Sequence, residues 1–270
     1  MKNIILLIAA LATNMVSAQL LESVVMNIGT ANEAHYNFYE NGLLKDKRKA
    51  DGTLLMEFIY DDQQRVVTFN TSSFSRNFTY DSQNHITSIN GATLYFYEGS
   101  GTDPDMYSTD PDITDSDVIF SYYELYDDLT LQYKYTNYMS DPEQMSVTGE
   151  LYAVVDAENN VQGLWDGEMS ERTYRYLSVQ NPMRQACLAA SRVAYFGSGS
   201  SFENALLESQ FISENLDLIQ GFYLGEDPES FQHLFELNDA GLPVKRYDRF
   251  CYMFIPEGNY SVTTTYTYQD

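Results

Sequence analysis

The sequence predicts a mainly β fold: an antiparallel sheet of successive β-hairpins with a helical hairpin inserted near residues 182–213. Three observations carry this expectation. Short aromatic and β-branched runs, broken by Asn, Asp and Gly, fill most of residues 24–178 and 216–268, the spacing of strands joined by tight turns. A turn-forming heptapeptide recurs along the chain. One Ala-rich stretch abandons the alternation and begins at an Asn-Pro pair.

The first 18 residues read as a secretory leader. Lys2 precedes an apolar run from Ile4 to Ala12, and Val16, Ser17 and Ala18 form a small-residue cleavage pattern before Gln19. The run is well short of the roughly 20 residues a membrane-spanning helix needs. The expected mature product is a single β-rich domain over 19–270, exported to the periplasm or secreted, with no transmembrane segment after leader cleavage.

Charge narrows the partners. The 270 residues hold 39 acidic and 15 basic side chains, a net charge of −24. Affinity for phosphate backbones comes from clustered Lys and Arg, so nucleic acid is excluded. The imbalance is local: residues 77–133 and 193–244 contain no Lys or Arg and together hold 20 acids. A solvated surface that keeps an exported protein in solution accounts for such stretches.

Strands follow from alternation. Leu129, Leu131, Tyr133 and Tyr135 alternate with Thr130, Gln132, Lys134 and Thr136, and Val262, Thr264, Tyr266 and Tyr268 share one face near the end. The turns between strands repeat. Tyr60-Asp61-Asp62-Gln63-Gln64-Arg65-Val66 aligns with Tyr80-Asp81-Ser82-Gln83-Asn84-His85-Ile86 at a separation of 20 residues, with Phe58 and Phe78 two residues ahead. Val155 to Val161 is a third copy without the Tyr, and Tyr39 to Leu43 and Asn238 to Leu242 are shortened forms. An Asp opening a type I turn accepts from the backbone ahead of it, and Gly or Asn two or three residues later takes the left-handed conformation that returns the strand. Flanking aromatics then supply cross-strand pairs.

These residues resemble the YD repeats of the RHS family, whose pattern is an aromatic, Tyr, Asp, two free positions, Gly, Arg and an aliphatic. Gln64 and Asn84 stand where the family has Gly, and His85 where it has Arg. Units of this kind cover residues 36–99 and the turns near 156 and 239, about a third of the chain. Family members are exported or surface proteins whose strands wind into a spiralling sheet or shell, with roles in cell contact, carbohydrate binding or enclosing toxin domains. The resemblance implies an exported β-hairpin scaffold of the bacterial cell envelope and carries over no catalytic residue.

The helical insertion starts with Asn181 as cap and Pro182 as first residue, followed by helix formers from Met183 to Tyr195. Gly197 to Ser201 reads as a break. Ser200 with Glu203 fits a capping box, and Phe202, Ala205, Leu206 and Ile212 predict a second, shorter helix.

Few residues offer chemistry. In the acidic loop of 99–118, Thr102-Asp103-Pro104-Asp105 recurs as Thr109-Asp110-Pro111-Asp112, followed by Asp115 and Asp117. These six carboxylates can supply the all-oxygen shell Ca²⁺ prefers; a solvated acidic loop is the other reading. Cys187 and Cys251 form either a disulfide, which export permits, or two buried thiols. His35, His85 and His233 fall in strand-like segments without zinc-site spacing. Tyr122, Tyr123, Tyr126, Tyr133, Tyr135 and Tyr138 either present rings to a sugar or protein or pack across strands. Trp165, the sole tryptophan, sits beside an Asp166-Gly167 turn.

The expected function is an exported non-enzymatic β-hairpin scaffold that binds a protein or glycan partner at the cell surface or periplasm, with calcium in the acidic loop. The alternative is a secreted carbohydrate-active enzyme using paired carboxylates. An outer-membrane barrel ranks third, because the internal helices and the Thr-rich final strand argue against it.

Overall fold

The computed structural model describes residues 19–97, 106–108, 122–125, 130–138, 145–156, 158–165, 171–198, 206, 208–224, 227–252 and 255–269. The leader, the six aspartates between Asp103 and Asp117, Tyr126, the Asp166-Gly167 turn and the Ser200–Glu203 capping box lie outside these residues.

The chain is mainly β. Its first part forms β1 (Leu21–Met26), β2 (Ala34–Phe38), β3 (Leu44–Lys49), β4 (Leu54–Tyr60), β5 (Val66–Thr71), β6 (Ser75–Tyr80), β7 (Ile86–Ile89) and β8 (Ala92–Thr93). A separate pair, β9 (Tyr95–Tyr97) and β10 (Met106–Ser108), follows. The second part contains β11 (Tyr122–Leu125), β12 (Thr130–Tyr138), β13 (Met145–Val155), β14 (Val161–Trp165) and β15 (Glu171–Gln180). After two helices, α1 (Pro182–Ser198) and α2 (Ser209–Ile212), come β16 (Asn215–Leu224), β17 (Asp227–Leu237), β18 (Pro243–Tyr252), β19 (Ile255–Pro256) and β20 (Ser261–Tyr268).

Eighteen strands share one large antiparallel sheet. From β1 the chain meanders outward through β2 to β8. From β11 it meanders inward to β18. The last strand, β20, lies between β18 and β1 and joins the two runs. Short β19 adds to the end of β18.

Alternation decides the two faces. Val24, Tyr36, Met56, Phe58, Phe69 and Phe78 are buried in one core with Met183, Ala186, Cys187, Ala190, Val193 and Ala194 of α1. Phe58 and Phe69 stack across β4 and β5 with centroids 4.9 Å apart. The opposite face is polar. Thr267, Ser23, Asn37, Asp46, Glu57, Asn70 and Ser75 oppose one another in an unbroken row across seven strands, from β20 to β6. A lipid-facing barrel has the reverse arrangement, an apolar band outside and polar residues within. Among the described residues no helix is long and apolar enough to cross a membrane.

The repeated turn takes one backbone form. In turns 39–43, 61–65, 81–85, 156–160 and 238–242, the first N–H donates to the carbonyl four residues on, and the fourth N–H donates back to the first carbonyl. The fourth residue has positive φ in each: Gly42 80°, Gln64 62°, Asn84 75°, Asn159 62° and Gly241 77°. Each strand pair slips by one residue where it meets the turn, a bulge that adds twist. A sixth turn of this form, 49–53 with Gly52 at φ 85°, lacks the Tyr-Asp signature and escaped the sequence reading. Where Asp or Asn opens the turn, its Oδ1 accepts from two backbone N–H groups, as Asp61 does from Gln63 and Arg65 at 2.9 and 3.0 Å. Asp81, Asp156 and Asn238 repeat this.

The tyrosine of the repeat serves the preceding turn. Tyr60 donates to the carbonyl of Leu44 (2.8 Å) and Tyr80 to that of Val66 (2.7 Å), in each case the first strand residue after a turn. Tyr176 does the same to Val161 and Tyr268 to Pro243. The phenols therefore stitch neighbouring strands, in addition to the aromatic pairing expected of them.

α1 begins as predicted, with Asn181 Oδ1 accepting from Met183 N–H at 3.1 Å. The second helix differs from expectation. α2 is one turn, because Leu206 takes φ 54° and a helix cannot run through it. The acidic segment is also not all loop. Met106–Ser108 pairs with Tyr95–Tyr97, and Pro104 and Pro111, which cannot donate to a ladder, stand two and three residues beyond its ends. Cys187 in α1 and Cys251 near the end of β18 are both free and buried, so the disulfide alternative is not the one this structure adopts. α1 lies over β1, β3 and β5, which turns Cys187 into the core, where burial pushes its thiol pKa up.

Candidate functional site

Two places gather polar side chains that the sequence leaves far apart. The first is a buried charge network. His233 of β17 has no exposed side-chain surface, and its Nδ1 lies 2.7 Å from Asp248 Oδ1 of β18. Its Nε2 is 3.5 Å from Asp217 Oδ2 of β16, too far for a hydrogen bond. Arg246 grips Asp248 with two parallel bonds, Nε to Oδ1 at 2.9 Å and Nη2 to Oδ2 at 3.0 Å. From α2, Ser209 donates to Asp217 (3.1 Å), while Gln210 accepts from Arg246 (3.4 Å). Burial drives the Asp248 carboxyl up, but the His233 hydrogen bond and the Arg246 charge outweigh it and hold the group well below the usual carboxylate range.

This network fastens α2 to three strands. Ser209 faces a carboxylate, which is not the nucleophile–base geometry of hydrolases. Among the described residues no group of three or more His, Cys, Asp or Glu is placed to hold a metal ion. Of the other histidines, His35 lies in β2, whereas His85 ends a turn, pairs with Asp81 at 3.0 Å and stacks on Phe96 at 3.6 Å.

The second place is a groove of ≈ 650 Å³ at one rim of the sheet. Turns 39–43, 61–65 and 238–242 contribute Asn41, Gly42, Leu43, Gln64, Ala240 and Leu242. Residues 19–21 and the N-terminal half of α1, with Arg184, Gln185 and Leu188, form the other wall. Its shape is set by close packing: a Cβ on Gly42 would stand 2.9 Å from Leu20 Cδ2, so Gly42 admits Leu20 against the turn.

Several of its polar groups are committed to structure. The Asn181 amide donates to the carbonyls of Gln210 (3.1 Å) and Ser213 (3.0 Å). Arg184 bonds the carbonyl of Ile212 (3.2 Å) and pairs with Glu214 at 3.0 Å. The carboxamides of Gln64, Gln180 and Gln185 make no hydrogen bond among the described residues. Leu20 and Leu188 are each 37% exposed there. With Arg184 and Glu214 paired, the side chains of the lining carry no net charge, unlike the protein as a whole.

Of the sequence-predicted residues, only the turns meet at this site. The six aspartates lie outside the described residues. Tyr122 and Tyr123 fall in β11 and Tyr133, Tyr135 and Tyr138 in β12, where a register shift between Lys134 and Thr136 interrupts the expected alternation at Tyr135. Trp165 ends β14 opposite Tyr152. No local motif marks Gln180, Gln185 or Arg184 as neighbours of turn 61–65.

No family model matches the chain, and no curated protein matches it. Among solved structures, a porin-like protein from Bacteroides vulgatus is similar at 10% identity and a TM-score of 0.46, over 93% of this chain and 99% of that one. A porin-like protein from Bacteroides uniformis is similar at 8% identity and a TM-score of 0.34, over 92% and 96% of the two chains. Likeness at this level assigns neither family nor function.

Proposed function

We propose that this protein is an exported, non-enzymatic β-hairpin scaffold of the cell envelope or extracellular space that binds a protein or glycan partner. The observation that carries the reading is the groove, where three copies of the repeated turn converge with unengaged carboxamides and exposed leucines. Export rests on the leader pattern of residues 1–18. The shared turn geometry and the tyrosine links make the repeated sequence unit one recurring structural unit. The groove lining holds one carboxylate, Glu214, already paired with Arg184, where glycoside hydrolysis takes two.

A screen of purified residues 19–270 against glycan arrays and envelope fractions tests the reading. Saturable retention supports it, and absence of retention with and without Ca²⁺ rejects it. The calcium component rests on the sequence of the 99–118 segment. Calorimetric titration of Ca²⁺ into metal-free protein should give heat that Asp110→Asn and Asp112→Asn reduce; no heat from the unaltered protein ends that component.

A further inference from the structure

Gln64 is the one exception among six equivalent turn positions, Gly52 being the sixth. Gly42 and Gly241 are free to take positive φ, and Asn84 and Asn159 tolerate it better than other side chains. Gln64 holds φ 62° without either advantage. Nothing within the turn explains it, since its carboxamide makes no hydrogen bond among the described residues. The strained position does put Gln64 in the groove wall, together with Gln180 and Gln185.

The rest of the lining states what would sit there. A carboxamide both donates and accepts, which matches the alternating N–H and C=O groups of an extended peptide. The side chains of the groove carry no net charge, and none is an aromatic ring on which a sugar face would lie. Leu20 and Leu188 offer exposed apolar surface to aliphatic side chains. We infer that the groove holds an uncharged, extended peptide segment bearing aliphatic side chains, and that Gln64 is a specificity-determining residue that hydrogen-bonds its backbone. This rests on the binding-scaffold reading above and names the partner class for it.

The test uses purified residues 19–270 and an acetylated, amidated Ser-Leu-Ser-Leu-Ser-Leu-Ser peptide, with maltoheptaose as the neutral sugar probe. Gln64→Gly relieves the left-handed strain, so the melting temperature should hold or rise, while peptide affinity should fall about fivefold, the worth of one hydrogen bond. Asn84→Gly, in a sister turn away from the groove, should leave affinity unchanged. Equal affinity in Gln64→Gly and the unaltered protein overturns the role of Gln64. Binding of maltoheptaose in place of the peptide, weakened by Gln64→Gly, overturns the peptide assignment. Neither probe binding, in a protein that still retains envelope or glycan partners, overturns the groove inference and leaves the scaffold reading standing. Loss of that retention rejects the scaffold reading itself.

Discussion

The two helices share one apolar core, but only one of them also binds the sheet through buried charge. α1 lies on β1, β3 and β5 through Ala186, Cys187, Ala190 and Ala194 against Phe58 and Phe69, an interface of area alone. α2 adds Phe211 to the same core, against Tyr36, and also meets β16, β17 and β18 through Ser209 and Gln210, over four charged or ionisable groups taken out of water. Apolar burial is non-directional and tolerates repacking. A buried ion network is stable only while every member is present. The first interface gives cohesion, and the second fixes where the helical segment joins the sheet.

That contrast is broken most strongly from the apolar side. Phe58→Ala removes a fully buried ring stacked on Phe69 and should cost about 3–5 kcal/mol, read as a fall in the urea midpoint. On the polar side, Arg246→Met leaves Asp248 buried beside His233 without its cation and should cost about 3 kcal/mol. The quadruple change Arg246→Met, Asp248→Leu, His233→Phe and Asp217→Asn, which leaves no buried charge of the network behind, should recover most of this loss. A quadruple variant no more stable than the single one would show that packing, not charge, governs that interface.

Acid separates the halves further. A carboxyl with a depressed folded-state pKa contributes stability that is complete above its unfolded pKa, about 4, and is lost as pH falls through the folded value. Asp248 qualifies, as do Asp61, where hydrogen bonds from Arg65 and Gln63 outweigh the upward push of burial, and Asp81, held down chiefly by the His85 backbone N–H. Stability should therefore decline below about pH 4. Asp248→Asn should flatten that decline more than Asp61→Asn, in melts taken at pH 2 to 6.

The smallest effect belongs to the stitching phenols. Tyr60→Phe and Tyr80→Phe each remove one hydrogen bond to a strand-end carbonyl and should cost about 1 kcal/mol each. Because Tyr60 and Tyr80 serve different turns, the two losses should add; marked non-additivity would mean the turns act as one unit.

Local chemistry was legible in the sequence and convergence was not. The Asp that opens a turn and the Asn-Pro helix start are each decided within about ten residues and folded as read, whereas register shifts interrupt the expected alternation at Tyr135 and between Val262 and Thr264. Leu206 shows the limit: its apolar spacing suited a helix, yet the chain turns left-handed there to bury it completely. Turn 49–53 went unread because Asp51, at its third position, replaces the opening Asp by accepting from Thr53. Gln64 was visible only as a departure from the expected Gly. Its meaning depends on Gln180 and Gln185, more than a hundred residues away, and on a register that β20 completes.

Gln269 N–H donates to the Leu20 carbonyl at 2.9 Å, so the two ends of the described chain are neighbours in the middle of the sheet, not at its edges. The open side of β1 must therefore wait until every other strand of the sheet has been made before β20 emerges to pair with it, making β20 a clasp rather than an appendage. The same closeness makes the chain a good subject for circular permutation: a short bridge from residue 269 to residue 19, with new ends cut at the exposed Asp51-Gly52 tip, should preserve every strand pair while letting the clasp form early.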